Sequence, residues 1–120
     1  MTGARRKRRD VALRRYAQQH EELKAEILGL GYVLQGSVIE RWMECGKPAC
    51  QCHADPQARH GPYYQWSWKT RGRTVSVYLN KQQATLCKDW IQNNRRLGRI
   101  LTRIRTLSLR ALRLHDIPRK

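Results

Sequence analysis

The residue types best suited to bind a metal are concentrated in one short segment. Three of the four cysteines (Cys45, Cys50 and Cys52) and two of the four histidines (His53 and His60) lie between residues 45 and 60. Thiolate and imidazole are the ligands that Zn²⁺ prefers, and a closed site of three cysteines and one histidine supplies folding energy to a small segment. The segment therefore predicts a structural zinc site.

The spacing leaves other interpretations open. Four residues and then one separate the cysteines, whereas standard zinc sites place two residues between paired cysteines. A plant-type iron–sulfur run is one residue longer, and Cys87 is the only candidate for its distant fourth ligand. Metal-free reduced thiols and a disulfide between Cys45 and Cys50 are the remaining alternatives. No secretory signal precedes these residues, so we expect a reducing cytoplasm that disfavours a disulfide.

His60, His53 and Cys87 are the candidates for the fourth ligand. His53 directly follows Cys52, and we expect its side chain to point away from a metal already held by two cysteines. His60 closes a loop of moderate length and leads into the next strand, so we predict that it is the ligand. Cys87 lies in the first turns of a predicted helix, where a free cysteine usually behaves as a small apolar residue.

The same segment carries a recognisable signature. The chain reads CGKPACQC at residues 45–52 and HGPYYQW at residues 60–66, preceded by GSVIER and followed by a helix containing DWIQN. Over about residues 27–110 it resembles a family of small bacterial proteins of unknown function, often encoded near transposase and integrase genes. The resemblance implies that Cys45, Cys50, Cys52 and His60 belong to the signature and that His53 does not. It also implies a mobile-element setting, and it implies no activity.

The net charge is extreme for a chain of this length. The 120 residues include 25 Lys/Arg and 9 Asp/Glu, for a formal net charge of +16. Such a charge attracts polyanions and makes nucleic acid the expected partner. The charge is concentrated at the ends, with +6 over residues 1–20, +1 over residues 21–80 and +9 over residues 81–120.

The first basic end starts with a run of five cations: Arg5, Arg6, Lys7, Arg8 and Arg9. We expect residues 1–9 to form a disordered arm that contacts phosphates. From Asp10, the expected N-cap, residues recur at steps of three and four: Leu13, Tyr16, His20, Leu23, Ile27 and Leu30. This periodicity predicts a helix over residues 10–29.

The second basic end is predicted to be a longer helix over residues 80–114. Asn80 and Gln83 have the spacing of a capping box. A seam then follows at steps of three and four: Leu86, Trp90, Asn93, Leu97, Ile100, Ile104, Leu107, Ala111 and Leu114. The two seams would face each other within one chain, or pair between chains as a short coiled coil.

Arginines line the other side of this helix. Arg95, Arg99 and Arg103 recur every four residues, and Arg96, Arg105, Arg110 and Arg113 lie alongside them. Like charges at this spacing repel one another, and no row of glutamates answers them. We therefore predict that this row contacts phosphates.

Residues 36–79 are predicted to hold a small sheet and the metal loop. Gly36–Met43 can form one strand, and the segments 62–69 and 73–79 form a hairpin around Thr70–Gly72, where Arg71 and Arg73 can reach nucleic acid. Alternation places Tyr64, Trp66 and Trp68 on one face, which we expect to be core. The alternative is that some of these rings, or Tyr63, stack on unpaired bases.

Patterns for catalysis are poor, with no glycine-rich phosphate loop and no nucleophile motif. We therefore assign no catalytic residue and expect the protein not to be an enzyme. The sequence predicts an α+β fold, with a single domain over residues 10–120 in which a hairpin-based sheet with a zinc-closed loop is flanked by two helices.

The predicted function is that of a small zinc-binding protein that binds nucleic acid, with duplex DNA preferred. We expect it to be a nucleoid-associated accessory factor of a mobile genetic element. One alternative is an RNA-binding or guide-RNA partner protein. The other is an adaptor that recruits a recombinase, or forms a homodimer, through its helical seams.

Overall fold

The computed structural model describes residues 3–115. Two long helices, α1 (Gly3–Leu28) and α2 (Lys81–Leu114), flank three strands in sequence: β1 (Ser37–Met43), β2 (His60–Thr70) and β3 (Arg73–Leu79). Two single-turn 3₁₀ helices, Gln51–His53 and Pro56–Ala58, lie in the loop between β1 and β2. The fold is α+β, as the sequence predicted. None of the described helices is long and apolar enough to cross a membrane.

The described residues form two compact units. The first consists of the residues up to Gly31 together with those from Arg95 onward, and the second is Tyr32–Asn94. The sequence predicted one domain over residues 10–120. This division was not predicted, because the periodicity of α2 runs through it and the helix contributes to both units.

Helix α1 begins at Gly3, earlier than the predicted start at Asp10. The expectation of a disordered arm was wrong for residues 3–9, while residues 1 and 2 lie outside the described part of the chain. Arginine and lysine are good helix formers, and no proline interrupts the basic run. The helix ends at Leu28, where the Gly29 N–H donates to the carbonyl of Glu26 at 3.2 Å.

Apolar side chains join α1 to the second half of α2 within the first unit. The buried members are Leu23, Ile100 and Leu107, and those packed against them are Tyr16, Ile27, Leu30 and Ile104. Residues 13–20 of α1 lie beside residues 107–115. Residues 19–26 lie beside residues 102–110, so the two helices run antiparallel. The α1 seam thus faces the second half of the α2 seam within one chain, and a coiled coil between chains stays a prediction.

Helix α2 begins with the predicted capping box. The Asn80 N–H donates to Gln83 Oε1 at 3.0 Å, and the Gln83 N–H donates to Asn80 Oδ1 at 2.7 Å. These reciprocal bonds give partners to two N–H groups that a helix start leaves unpaired.

In its first three turns, α2 buries one side within the second unit. The buried residues there are Ala84, Cys87 and Ile91. The predicted seam residue Leu86 is 42% exposed, so the seam was wrong at this point. The prediction traced the seam through large apolar residues, whereas the buried positions on either side of Leu86 are held by an alanine and a cysteine.

The strands form an antiparallel sheet in the order β1-β2-β3. Arg71 and Gly72 join β2 to β3 with φ angles of 51° and 74°, the positive values that a two-residue type I′ hairpin turn requires. The register pairs Trp66 with Val38 on one side and with Val77 on the other. Trp66 and Trp68 therefore lie on the same face of the sheet as Val77 and Val75.

This tryptophan-bearing face is half-buried within the second unit. The rings of Trp66 and Trp68 stack with centroids 3.9 Å apart, and Trp66 Nε1 donates to the carbonyl of Gln35 at 2.9 Å. Trp66 also lines an apolar recess together with Cys87 and Trp90 of α2. The expectation that this face forms a core is met only in part, because Tyr64, Trp66 and Trp68 are half-buried rather than fully buried.

Successive residues of a strand point to opposite faces, so Tyr63, Gln65 and Tyr78 lie on the other side of the sheet. We call this side the open face. Tyr63 and Tyr78 are 42% and 60% exposed.

Two hydrogen bonds join the beginning of the second unit to its end. Asn93 Nδ2 donates to the carbonyl of Tyr32 at 2.8 Å. The Leu34 N–H donates to the carbonyl of Trp90 at 3.1 Å. The chain therefore enters and leaves this unit at adjacent points.

Candidate metal centre

The loop between β1 and β2 positions four potential metal ligands. Cys45 follows the end of β1, Cys50 and Cys52 lie at the first 3₁₀ helix, and His60 begins β2. Strand pairing joins Met43 to His60, which holds the two ends of the loop beside each other. The sheet therefore brings the histidine close to cysteines that precede it by 8–15 residues.

The potential ligand atoms of these four residues all lie within 4.8 Å of one another. The sulfurs of Cys45 and Cys52 are 3.7 Å apart, and Cys50 Sγ is 3.3 Å from His60 Nε2. A tetrahedral zinc with bonds of about 2.3 Å to sulfur and about 2.0 Å to nitrogen separates two sulfurs by about 3.8 Å and a sulfur from a nitrogen by about 3.5 Å. The four residues lie close enough to hold a metal ion.

The thiols of the cluster differ in their protonation. All four cysteines of the chain are free, so the disulfide alternative between Cys45 and Cys50 is not realised. Hydrogen bonds with the backbone of Cys52 and with the His60 ring lower the pKa of Cys50 to about 6. At neutral pH Cys50 is therefore mainly a thiolate, the form that binds metals.

Cys52 is the most enclosed of the four residues. It is 1% exposed, and burial raises the pKa of its thiol. The Cys45 N–H donates to Cys52 Sγ at 3.3 Å, a contact that favours the charged sulfur. A bound cation would offset the cost of burial, since coordination deprotonates a thiol.

His53 is held outside the cluster by two hydrogen bonds. Its Nδ1 lies 3.0 Å from Glu44 Oε2, and its Nε2 lies 2.9 Å from the carbonyl of Lys47. The Glu44 carboxylate raises the pKa of His53. Both ring nitrogens thus face acceptors outside the cluster, and neither points at the cysteines.

Cys87 is also separate from the cluster. It is 3% exposed within α2, and burial raises the pKa of its thiol. Among the described residues, the group that could hold a metal contains His60 and the three loop cysteines, without Cys87. The iron–sulfur alternative needs Cys87 as its distant ligand, and the geometry does not provide it.

The predicted nucleic-acid-binding residues are divided between the two units. Arg5–Arg9 lie in the first turns of α1, and the arginines from Arg95 onward lie on the second half of α2, in the first unit. Arg71 and Arg73 are at the hairpin turn of the second unit. Each unit therefore contains one of the two predicted basic groups.

All of the predicted arginines of α2 are exposed. Arg96 Nη2 lies 3.7 Å from Glu26 Oε1. Within residues 3–115, no other arginine of α2 forms an ion pair with a carboxylate. Arg103 and Arg110 line a groove that also contains Glu22 and Glu26, so part of the row faces α1.

Arg41 and Tyr78 share the open face with Tyr63, which was not predicted from the sequence. Alternation within β3 places Tyr78 on the face opposite to that of Val77, so the orientation of Tyr78 could have been predicted. The position of Arg41 was not readable, because the metal loop separates β1 from β2 and hides their register. In the structure Arg41 Nη1 donates to Gln65 Oε1 at 2.9 Å, across those two strands.

Comparisons with known proteins give one finding. A family model described as Domain of unknown function (DUF6788) matches residues 12–93. Searches of curated proteins and of solved structures found no significant match. The matched region contains the whole metal cluster and the sheet, whereas Arg5–Arg9 and the arginines from Arg95 onward lie outside it.

Proposed function

We propose that this chain, which belongs to the family Domain of unknown function (DUF6788), is a small zinc-stabilised protein that binds nucleic acid. The donor set, three thiols and one imidazole, suits zinc, and four protein ligands leave no coordination position for a reacting water. We therefore assign the metal a structural role in folding the loop from Cys45 to His60. The expectation that the protein is not an enzyme stays a prediction.

The exposed arginines of α2 carry the proposal. Arg95, Arg99 and Arg103 repel one another at four-residue spacing, and they have no carboxylate partner among the described residues. A row of unpaired guanidinium groups matches the phosphates of a nucleic-acid backbone, which bind arginine through charge-assisted and often bidentate hydrogen bonds. Phosphate contacts would relieve the repulsion that the free protein contains.

The basic run of α1 adds to the same unit. Because α1 and α2 are antiparallel, Arg5–Arg9 lie toward the end of the helix pair where α2 terminates. These cations surround a helix N-terminus, which carries a partial positive charge of its own. An anionic backbone would be attracted to both.

Burial of the helical seams argues for this function over the adaptor. Ile100 and Leu107, which a recruited recombinase would need to contact, are 3% and 8% exposed because α1 covers them. We keep duplex DNA as the expected ligand of the arginines and RNA as the second candidate. The mobile-element role rests on the resemblance of the sequence alone and stays a prediction.

A salt-dependent binding titration tests the proposal. We expect the wild-type protein to bind duplex DNA regardless of sequence, with an affinity that falls steeply as salt increases. Replacing Arg95, Arg99 and Arg103 by Gln should weaken binding and reduce the slope of log K against log salt by about 0.9 per lost contact.

A matched control removes the same charge elsewhere. Lys24, Arg59 and Lys81 are exposed and lie outside the proposed surface, so their triple replacement by Gln should change the slope much less. If both triple variants weaken binding equally, net charge rather than the α2 row is responsible. If neither changes binding, the arginine surface is wrong.

A further inference from the structure

The open face of the sheet has the composition of a surface that stacks unpaired bases. Its two aromatic rings, Tyr63 and Tyr78, are 42% and 60% exposed, and their centroids lie 6.4 Å apart in an edge-to-face arrangement. The side chain of a tyrosine in a strand has few accessible rotamers. Such rings offer their faces to a planar ligand at a small entropic cost.

Charge complementarity indicates that this ligand is anionic. Alternation places Arg41 and Lys69 on the same face as the tyrosines. The only acidic residue in the three strands is Glu40, which pairs with Tyr64 on the opposite face. The open face is therefore basic and free of acidic strand residues, with Arg41 held in place by its hydrogen bond to Gln65.

The apolar content of the face is low. Ile39, 50% exposed, is the only aliphatic side chain that the register places there. Stable protein interfaces have an apolar core depleted of charge, and this face lacks one. Antiparallel sheets that carry aromatic rings and cations on a solvent-facing side are typical of single-strand binding, in which each stacked base adds affinity without reading its identity.

We propose that the open face binds single-stranded nucleic acid by stacking unpaired bases on Tyr63 and Tyr78, with Arg41 and Lys69 contacting the phosphates. This site is in the second unit and is distinct from the arginines of α2. The inference rests on the proposed function in one respect, that the ligand of the protein is a nucleic acid. In duplex DNA the bases are already stacked, so the tyrosines contribute only to single strands.

The first test uses the unmodified zinc-loaded protein and two labelled oligonucleotides of equal length, one of deoxythymidine and one of abasic sites. Both carry the same phosphates, so the arginines of α2 bind them alike. We expect the base-containing strand to bind more tightly, by about 5- to 150-fold for each base that is stacked. Equal binding of the two strands would overturn the proposal and favour a protein ligand for the open face.

The second test uses ring substitutions. Tyr63→Ala and Tyr78→Ala should each weaken binding of the thymidine strand by about 5- to 150-fold while leaving duplex binding unchanged. Tyr63→Phe and Tyr78→Phe keep the ring and should retain both affinities. If the phenylalanine variants lose as much as the alanine variants, the hydroxyl rather than stacking is responsible and the proposal is wrong.

The two proposals fail in different ways. A wild-type protein that binds no nucleic acid contradicts the proposed function and this inference together. A wild-type protein that binds duplex through the α2 arginines, and whose alanine variants keep full affinity for the thymidine strand, contradicts this inference alone. Zinc content and circular dichroism of each variant show whether it is folded.

Discussion

The sulfur of Cys50 lies 3.3 Å from Nε2 of His60, a residue ten positions further along the chain. The contact depends on the pairing of β1 with β2, which places the start of β2 beside the end of β1. The cluster is thus a link between the sheet and a loop that has little apolar content of its own. Metal binding at the cluster would consequently contribute directly to the folding free energy of this loop.

The first prediction concerns metal content. The purified protein should carry one zinc per chain, because the cluster supplies four ligand atoms that lie within 4.8 Å of one another. Cys50→Ser should release the zinc and increase hydrogen exchange in the loop, while much of the helical circular dichroism remains. Elemental analysis and exchange mass spectrometry measure both effects.

Cys87→Ser is the matched control, since it removes a thiol that lies outside the cluster. The Cys87→Ser protein should retain one zinc per chain, and its stability should fall only by the packing contribution of the buried thiol. Loss of zinc from this variant, or full zinc in Cys50→Ser, would contradict the assignment of ligands.

The second prediction separates the two histidines. His60→Ala should lose zinc because it removes a ligand atom. His53→Ala should keep a full equivalent, since His53 contacts Glu44 and the Lys47 carbonyl instead of the cluster. Competition with a chromophoric chelator measures both affinities, and the reverse order would show that the loop rearranges around His53.

The third prediction concerns two glycines with opposite environments. Gly36 has φ +95°, and a Cβ there would clash with the carbonyl oxygen of Ser67, so Gly36→Ala should disrupt the pairing of β1 with β2. Gly98 lies within α2 with open space around it. Gly98→Ala should therefore stabilise the protein by about 0.5–1 kcal/mol.

Chemical denaturation of the two variants checks these opposite signs. An increase in stability for Gly36→Ala would show that β1 takes a different register from the one described. A loss for Gly98→Ala would indicate that α2 is bent or contacted at that position.

The fourth prediction concerns the tryptophans. Truncating a buried tryptophan to alanine costs about 3–5 kcal/mol, and for the half-buried Trp66 we expect about 2–3 kcal/mol. It loses stacking on Trp68 and the hydrogen bond to Gln35. Tyr63→Ala, on the open face, should leave the free energy of unfolding nearly unchanged, so thermal melts of the two variants should differ clearly.

Local signals in the sequence were sufficient for part of the structure. The capping box of Asn80 and Gln83 and the turn at Gly72 depend on residues close in sequence, and the four cluster residues were indicated by their types and their signature, although their contact depends on strand pairing. The start of α1 could not be predicted in this way. A run of Arg and Lys is compatible with a disordered arm and, because both residues are good helix formers, also with a helix. The seam was misplaced at Leu86 because the residues that are buried at this point of the helix, Ala84 and Cys87, have small side chains.

The division into two units was the least readable feature. Periodicity reports which side of a helix is buried, and it continues along α2 even though the partner changes between Asn94 and Arg95. The register of β1 was similarly hidden, since the loop that carries the cysteines separates it from β2. Both features depend on tertiary contacts that a single helix or strand does not encode.

The hydrogen bond from Asn93 to Tyr32 spans 61 positions of the chain, and this makes the second unit a closed insertion between the two partner helices. Pairing α1 with the far half of α2 would otherwise require closing a loop of that length, at an entropic cost on the order of 3–4 kcal/mol. Folding of the second unit already brings its two ends together, so this entropy is lost before the helices pair. The pairing of α1 with the second half of α2 then resembles the closing of a helical hairpin. Any metal that stabilises the insertion therefore also favours the helix pair, at positions the metal never touches.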